Sequence, residues 1–312
     1  MYARLSASWT ALPGATRGIL LMLVSTLAFS TMHVLIRFLS KEIDPLQVAF
    51  FRNFFGVIVI LPWFIRYGLQ PLRTKHLGTH LLRSVLNVGA MLCFFAALGL
   101  IPVAEATALT FSAPIFAALL AVVLLREVMR LRRWTAILVG FLGTLLILQP
   151  GFETIDLGSW LTLLAAFLWG LTLIVIRVLG KGGESSVTTT TYMVIFLSLF
   201  SLGPAILVWQ TPTLEQLGWM LVIGVLGTLG QLAVAQSLKD AETGVVMPFD
   251  FFKLIWAAIL GYLLFAEVPG PFVWIGGAVI FGASTYIAYR ESQVASAEAK
   301  AALERAKLDR PV

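Results

Sequence analysis

Long apolar runs recur along the whole 312-residue chain, each close to the length that crosses a bilayer core. A membrane-spanning α-helix needs about 20 predominantly apolar residues. Windows of that length predict ten helices, at residues 18–39, 46–66, 80–99, 103–125, 132–149, 158–179, 187–209, 215–237, 243–265 and 271–289. Composition agrees, because 59% of the residues are hydrophobic and 12% are charged. The sequence therefore predicts an all-α integral membrane protein with ten transmembrane helices.

The 22 Lys and Arg residues are distributed unevenly between the two predicted membrane faces. Seventeen fall on the face that holds both chain ends, and two, Arg37 and Lys41, fall on the other. The remaining three, Arg52, Arg83 and Lys253, lie within predicted helices. Because positive residues near helix ends are retained on the cytoplasmic side, both termini are predicted to be cytoplasmic. Topology thus explains the formal charge of +6, which argues against a nucleic-acid partner.

The two halves of the chain repeat at an offset of 140 residues. Phe111 to Val128 lies over Phe251 to Val268 with 8 of 18 positions identical, and Arg37 falls on Arg177. Each unit holds five predicted helices, an odd number, so the second unit enters the membrane from the opposite side. Such inverted repeats are typical of secondary transporters, in which two halves move about a shared site near the membrane midplane.

Six segments carry a family resemblance. The first unit ends with PIFAALLAVVLLREV and RRWTAILVGFLGTLLIL, and the second ends with AAILGYLLFAEV and VWIGGAVIFGA. These endings resemble the drug/metabolite transporter superfamily, specifically its ten-helix EamA-type members. The earlier segments FFRNFFGVIVILPW and RSVLNVGAMLCFFAALGLIPVAEATAL are similar to a subgroup related to bacterial S-adenosylmethionine and riboflavin carriers and to animal organic-anion carriers.

The repeat and the resemblance together divide the chain into four parts. Two five-helix EamA-type repeats, at residues 18–149 and 158–289, follow a cytoplasmic N-terminus at 1–17 and precede a charged cytoplasmic tail at 290–312. The resemblance implies a multi-pass protein of the bacterial inner membrane, whose partners are a small-molecule substrate and membrane lipid. No cofactor is expected, proton coupling is one option, and the chain is either a monomer or a homodimer.

Two opposite charges lie three positions apart within the ninth predicted helix, at Asp250 and Lys253. A charge at bilayer depth costs about 2.5–3.5 kcal/mol on insertion scales, so it normally faces the bundle interior. The two residues form either an internal ion pair that fixes the helix or a cavity-lining pair that opens to accept substrate or a proton. Pro248 favours the second reading, because it interrupts the backbone hydrogen bonds just before the pair.

Two arginines add permanent positive charge to the predicted interior. Arg52 is flanked by phenylalanines, whereas Arg83, near the start of the third helix, could instead extend to the membrane interface. A guanidinium can hold a carboxylate or phosphate through two parallel hydrogen bonds. With Lys253 and Asp250 included, the interior carries a charge of +2 if all four face inward. This predicts an anionic or zwitterionic substrate held by Arg52 and Lys253.

Histidine and aromatic residues complete the candidate substrate-binding set. His33, inside the first helix, has either a packing or hydrogen-bonding role or that of a proton relay. Phe29 and Trp169 occupy matching repeat positions and are expected to face each other across the cavity. Together with Phe249 they could stack on a flat substrate, the alternative being contact with lipid or protein. No metal site is expected.

These features favour a secondary transporter, not an enzyme, that moves a small anionic or zwitterionic organic metabolite by alternating access. A carboxylate, an amino acid or a vitamin-like compound would fit. One alternative is an exporter of cationic or aromatic drugs or metabolites that uses Asp250 as its main contact. A more remote alternative is a membrane-embedded lipid-modifying enzyme or a scaffold. An enzyme would need clustered carboxylates or a positioned nucleophile and base, but the acidic residues are scattered.

Overall fold

The computed structural model describes residues 12–67, 74–126, 131–149, 155–181 and 186–308, and every regular element in these ranges is a helix. The helices are α1 (Gly14–Leu39), α2 (Pro45–Tyr67), α3 (Leu77–Leu100), α4 (Val103–Thr110), α5 (Ala113–Leu125), α6 (Leu131–Leu148), α7 (Leu157–Lys181), α8 (Ser186–Leu207), α9 (Leu214–Asp240), α10 (Thr243–Val246), a 3₁₀ segment (Met247–Phe251), α11 (Phe252–Phe265) and α12 (Pro271–Leu308). The prediction of an all-helical protein is confirmed. Residues 1–11 and 309–312 of the predicted cytoplasmic ends lie outside the described ranges.

Six helical stretches within these ranges are long and apolar enough to cross a membrane. They are Gly14–Leu39, Leu77–Leu100, Val103–Leu125, Leu157–Leu179, Leu214–Asp240 and Met247–Phe265. Four shorter apolar helices, Pro45–Val59, Trp134–Leu148, Thr191–Leu207 and Pro271–Ile287, fall at the other predicted positions. Length and composition thus support a multi-pass membrane protein.

Two helices that the sequence predicted as continuous are interrupted in the structure. The predicted helix 103–125 divides into α4 and α5, because Pro114 has no N–H to donate to the carbonyl one turn earlier. The predicted helix 243–265 divides into α10, the 3₁₀ segment and α11, with Pro248 near the start of the 3₁₀ segment. Irregular backbone at membrane depth is tolerated where protein or a cavity meets the freed polar groups.

The helices of the two halves pack in pairs. The largest contacts join α1 with α9, α3 with α7, α6 with α12 and α2 with α8. At the repeat offset of 140 residues, α1 corresponds to α7 and α3 corresponds to α9, so the α1–α9 pair and the α3–α7 pair exchange places. The α6–α12 and α2–α8 pairs each map onto themselves. The backbone repeats as well, because Arg126 and Ala266, which are 140 residues apart, end α5 and α11 in the left-handed conformation with φ of 53° and 55°.

Small residues bring α1 and α9 close together. The Ser25 hydroxyl donates to the Gly230 carbonyl at 2.9 Å, and the Ser237 hydroxyl donates to the Gly18 carbonyl at 2.6 Å. Glycine and serine at such contacts allow two helix backbones to approach closely. The position of α9 against α1 is therefore held at two points, one within the cavity-lining segment of α9 at Gly230 and one about two turns later at Ser237.

Different polar contacts tie the helices at the two ends of the bundle. One end is called the Lys41 end, because the α1–α2 turn there carries Lys41. At this end the side chain of Gln47 donates to the carbonyl of Gln210 at 2.7 Å. At the opposite end, called the Arg17 end, Arg17 at the start of α1 pairs with Asp240 at the end of α9 at 3.4 Å. The repeat offset of 140 residues aligns Glu267 with Glu127, which lies outside the described residues.

Candidate functional site

A cavity of about 520 Å³ lies within the bundle, and both halves of the chain line it. Seven of the eight predicted site residues are among its lining: Phe29, His33, Arg52, Arg83, Trp169, Asp250 and Lys253. The eighth, Phe249, is not, and its ring instead stacks on Phe252 with centroids 6.3 Å apart. A 3₁₀ helix has three residues per turn, so Phe249 and Phe252 share one face while Asp250 and Lys253 share another.

Asp250 and Lys253 form an ion pair at the edge of this cavity, with Lys253 Nζ 2.6 Å from Asp250 Oδ1. Their side chains remain 15% and 23% exposed. The Ser30 hydroxyl of α1 donates to the Lys253 carbonyl at 2.9 Å, which ties the start of α11 to α1. Lys253 Nζ also lies 5.4 Å from the centre of the Phe29 ring. The two residues are therefore ion-paired and also line the cavity.

Arg52 reaches the cavity from α2, and in the part of the chain that the structure describes it has no carboxylate partner. Its Nη1 donates to Asn53 Oδ1 at 2.8 Å, and Asn53 is held in turn by Ser201 Oγ at 3.2 Å. Arg52 Nε is buried and no described residue accepts a hydrogen bond from it. Within the described ranges no carboxylate lies within 4 Å of the guanidinium. Asn53 orients the positive charge but does not neutralise it.

Arg83 is buried rather than extended to the membrane interface, the alternative that its position near a helix end allowed. It is 8% exposed, lines the cavity and has its Nη2 atom 3.4 Å from Met193 Sδ of α8. Among the other charged lining residues, Lys253 is paired with Asp250, and Arg52 has no carboxylate within 4 Å in the described ranges. The cavity can accommodate negative charge more readily than positive charge, because like charges repel more strongly where water is excluded.

A series of ring contacts forms one wall of the cavity. The imidazole of His33 stacks on Phe29 at 6.4 Å and meets the edge of Phe94 at 4.9 Å, and Phe94 lies 5.4 Å from Trp169. The predicted pair Phe29 and Trp169 is therefore linked through His33 and Phe94. Such a wall can contact the face of a flat ring system.

Polar atoms interrupt this apolar wall. Trp169 Nε1 donates to Asn87 Oδ1 at 3.0 Å, which sets the plane of the indole ring. His33 Nδ1 is buried and no described residue hydrogen-bonds to it. Asn53, Asn87 and Phe94 were not predicted as site residues. The two amides inside apolar helices were a usable signal, since a polar group at bilayer depth normally faces a partner or a cavity.

Comparison with known proteins identifies the family. The model of the EamA-like transporter family matches the chain twice, over residues 16–149 and 156–289. Over 283 residues the chain is 33% identical to a riboflavin transporter of Vibrio cholerae serotype O1, covering 89% of this chain and 94% of that protein. It is 30% identical over 279 residues to an S-adenosylmethionine uptake transporter of Rickettsia bellii, covering 89% and 96% of the two chains.

A solved crystal structure supports the fold alone. It shares 17% sequence identity, superposes with a TM-score of 0.59, and covers 88% of this chain and 96% of its own. The resemblance to the drug/metabolite transporter superfamily and to its S-adenosylmethionine and riboflavin subgroup is confirmed, as is the expectation of a membrane transporter and not an enzyme. With two matched copies that cover most of its length, the chain belongs to the EamA-like transporter family.

Proposed function

We propose that this transporter moves a small organic metabolite with an anionic or zwitterionic group across the bacterial inner membrane by alternating access. The observation that carries this proposal is the Arg52 guanidinium, which lines an interior cavity without a carboxylate partner in the described residues. A substrate carboxylate would accept parallel hydrogen bonds from its fork. Lys253, already paired with Asp250, would share its charge with the same group.

The ring contacts support a substrate that also has a flat aromatic part. Riboflavin and S-adenosylmethionine, which name the two relatives above, both contain a heteroaromatic ring system beside a polar chain. The wall formed by Phe29, His33, Phe94 and Trp169 would contact such a ring, while Arg52 and Lys253 would bind the polar part. S-adenosylmethionine has a carboxylate beside its ring system and riboflavin does not, so riboflavin tests the aromatic wall alone and an amino acid without a ring tests the anion site alone.

Thermal stabilisation of the purified protein tests the substrate class. A ligand that binds the folded state at 100 times its Kd stabilises it by about 2.7 kcal/mol, which raises the Tm of a protein of this size by roughly 5 °C. We expect such a shift with S-adenosylmethionine, amino acids or dicarboxylates. A shift with riboflavin alone would contradict the anion site but keep the aromatic wall. A shift with quaternary amines alone would replace the proposal with a cation exporter in which Asp250 is the main contact.

We further propose ten membrane crossings in two inverted repeats, with both termini in the cytoplasm. Pairwise packing of α1 with α9 and of α3 with α7 supports this, because a two-fold axis in the membrane plane would interchange those pairs. The Arg17 end would then be cytoplasmic and the Lys41 end external, in keeping with the distribution of Lys and Arg.

A cluster of polar contacts near the Lys41 end is called the Arg37 clasp. It consists of Arg37, Leu98, Ile101, Val103 and Glu267. Arg37 Nη2 lies 2.5 Å from Glu267 Oε1, and its Nη1 donates to the carbonyls of Leu98 at 2.8 Å and Ile101 at 2.5 Å. Glu267 Oε2 accepts from the Val103 backbone N–H at 3.3 Å. The clasp therefore joins α1, the α3–α4 turn and the segment after α11.

The clasp lies between the cavity and the Lys41 end. Along α1, Arg37 is one turn, about 6 Å, beyond the lining residue His33. Along α4, Val103 is one turn before the lining residue Thr107. The cavity lining continues in the opposite direction to Ile176, near the end of α7. For substrate to reach the cavity from the Lys41 end, the Arg37 clasp must open.

Replacing Arg37 with glutamine should open this route. The reporter is a Thr110→Cys variant in a Cys93→Ser background, because Thr110 lines the cavity. Its thiol is labelled with a membrane-impermeant reagent added outside the cell. We expect labelling to be about fivefold faster when Arg37→Gln is also present. The substitution should destabilise the closed state by about 1 kcal/mol, which corresponds to a roughly fivefold rise in the population of the open state. Arg17→Gln is the matched control, because it breaks one ion pair at the opposite end. Equal labelling rates in the two variants would rule out the clasp as an external closure.

A further inference from the structure

We propose that Gly227 of α9 is a positioning residue for the anion site, because the absence of a side chain there leaves the space in which the Arg52 guanidinium lies. A β-carbon at position 227 would be 2.8 Å from Arg52 Nε, 3.0 Å from Arg52 Nη2 and 2.8 Å from Met32 Sδ. Real β-carbons essentially never approach other atoms to within 3.0 Å, so a side chain at this position would displace one of its neighbours. This inference deepens the proposed function and rests on it.

The backbone conformation does not explain a glycine at this position. Gly227 lies in the interior of α9 and does not have the positive φ at which glycine is favoured. Glycine in a helix interior is less favourable than alanine by about 1 kcal/mol. Helix stability alone would therefore favour alanine, and the reason for glycine is the space that Arg52 and Met32 occupy.

The helix itself is not free to move away from an added methyl group. Gly224, one turn earlier, is in contact with α2, because a β-carbon there would lie 2.7 Å from Phe55 Cβ and 3.1 Å from the Arg52 carbonyl. On the other side, the hydrogen bond from Ser25 to the Gly230 carbonyl holds α9 against α1. A methyl group at position 227 must therefore displace side chains, namely the Arg52 guanidinium and the Met32 thioether that lie against it.

Displacement of the guanidinium would change the direction of its hydrogen-bonding fork. Arg52 Nη1 is bonded to Asn53 Oδ1, and Nε faces Gly227, so the plane of the group lies between these two residues. Bidentate binding of a carboxylate requires the plane of the guanidinium to point toward the two carboxylate oxygens. A misplacement of about 1 Å can reduce the function of a site by up to 100-fold. Gly227 would thus contribute to affinity without touching the substrate.

A stability cycle tests the positioning role without any ligand. Gly227→Ala should lower the Tm by roughly 3 °C in the parent protein. In an Arg52→Ala background only the contact with Met32 Sδ remains, so the same change should lower the Tm by clearly less, and the difference between the two backgrounds measures the clash with the guanidinium. Gly218→Ala is the matched control on the same helix, because a β-carbon there meets nothing within 4 Å. An equal loss of Tm in both backgrounds would overturn the proposal.

A binding measurement tests the link to the anion site. The concentration of S-adenosylmethionine that gives half of the maximal Tm shift should rise about tenfold in Gly227→Ala and stay unchanged in Gly218→Ala. An unchanged value in Gly227→Ala would contradict a role in affinity. If none of S-adenosylmethionine, amino acids and dicarboxylates stabilises the parent or any variant while the stability cycle shows coupling to Arg52, the substrate class fails and the positioning role stands. The two failures are therefore distinguishable.

Discussion

Replacing Arg52 with glutamine is expected to abolish transport while the protein still folds and inserts. Each hydrogen bond to a charged group contributes about 1.5–3 kcal/mol. Loss of the two parallel bonds to a substrate carboxylate should therefore weaken binding by roughly 100-fold or more, at 1.4 kcal/mol per factor of ten. Uptake of the stabilising compound into proteoliposomes measures the loss, and size-exclusion elution with helical circular dichroism measures the fold.

The fold should survive because Arg52 is not part of a structural ion pair in the described residues. Removing its charge leaves no carboxylate uncompensated, and a glutamine amide can donate to Asn53 Oδ1, which now accepts from Arg52. Arg52→Lys is the informative companion, since it keeps the charge but loses the planar fork. We expect it to retain weak transport. Full activity in Arg52→Gln would remove Arg52 from the substrate site.

Breaking the Asp250–Lys253 pair is expected to destabilise the protein, and neutralising both partners is expected to restore stability without restoring transport. Asp250→Asn leaves the Lys253 ammonium uncompensated beside the Phe29 ring, and Lys253→Met leaves the carboxylate unpaired. Breaking a buried ion pair costs about 3–5 kcal/mol. Because these side chains are 15% and 23% exposed, a loss of about 2 kcal/mol is the expected size.

The double variant Asp250→Asn/Lys253→Met separates the two roles of the pair. Replacement of both charges leaves neither one unpaired, so the Tm should return close to that of the parent. Transport should stay absent, because Lys253 no longer contributes positive charge to the anion site. If the double variant transports at the parental rate, the pair serves to fix the helix break after Pro248 and has no part in binding.

Several features of the helices and of the cavity could be read from the sequence because they depend on local quantities. The apolar runs predicted the positions of the helices, and a charge within such a run marks the cavity because burying it is costly. Arg52, Arg83, Asp250 and Lys253 were identified in this way, and all four line the cavity. The repeat offset of 140 residues recurs in the two stretches that match the family model.

Other features depended on the tertiary structure. Arg37 was one of two cations on the less basic face, with nothing in the sequence to indicate its bonds to Leu98, Ile101 and Glu267. Phe249 was a candidate for stacking on a flat substrate, but its ring does not line the cavity and stacks on Phe252, in keeping with the alternative of contact with protein. The contact of Gly227 with the Arg52 guanidinium depended on the relative position of α2 and α9.

The difference between the features that the sequence predicts and those that only the tertiary structure decides has one physical origin. Insertion into a membrane responds to the summed hydrophobicity of a segment, which the sequence states directly and which predicts where helices and buried charges lie. Within a membrane, however, the lipid-facing and the protein-facing sides of a helix are both apolar, so its sequence does not reveal how it is rotated. That rotation was decided by the packing of the two halves against each other, and with it the set of side chains that meet in the cavity.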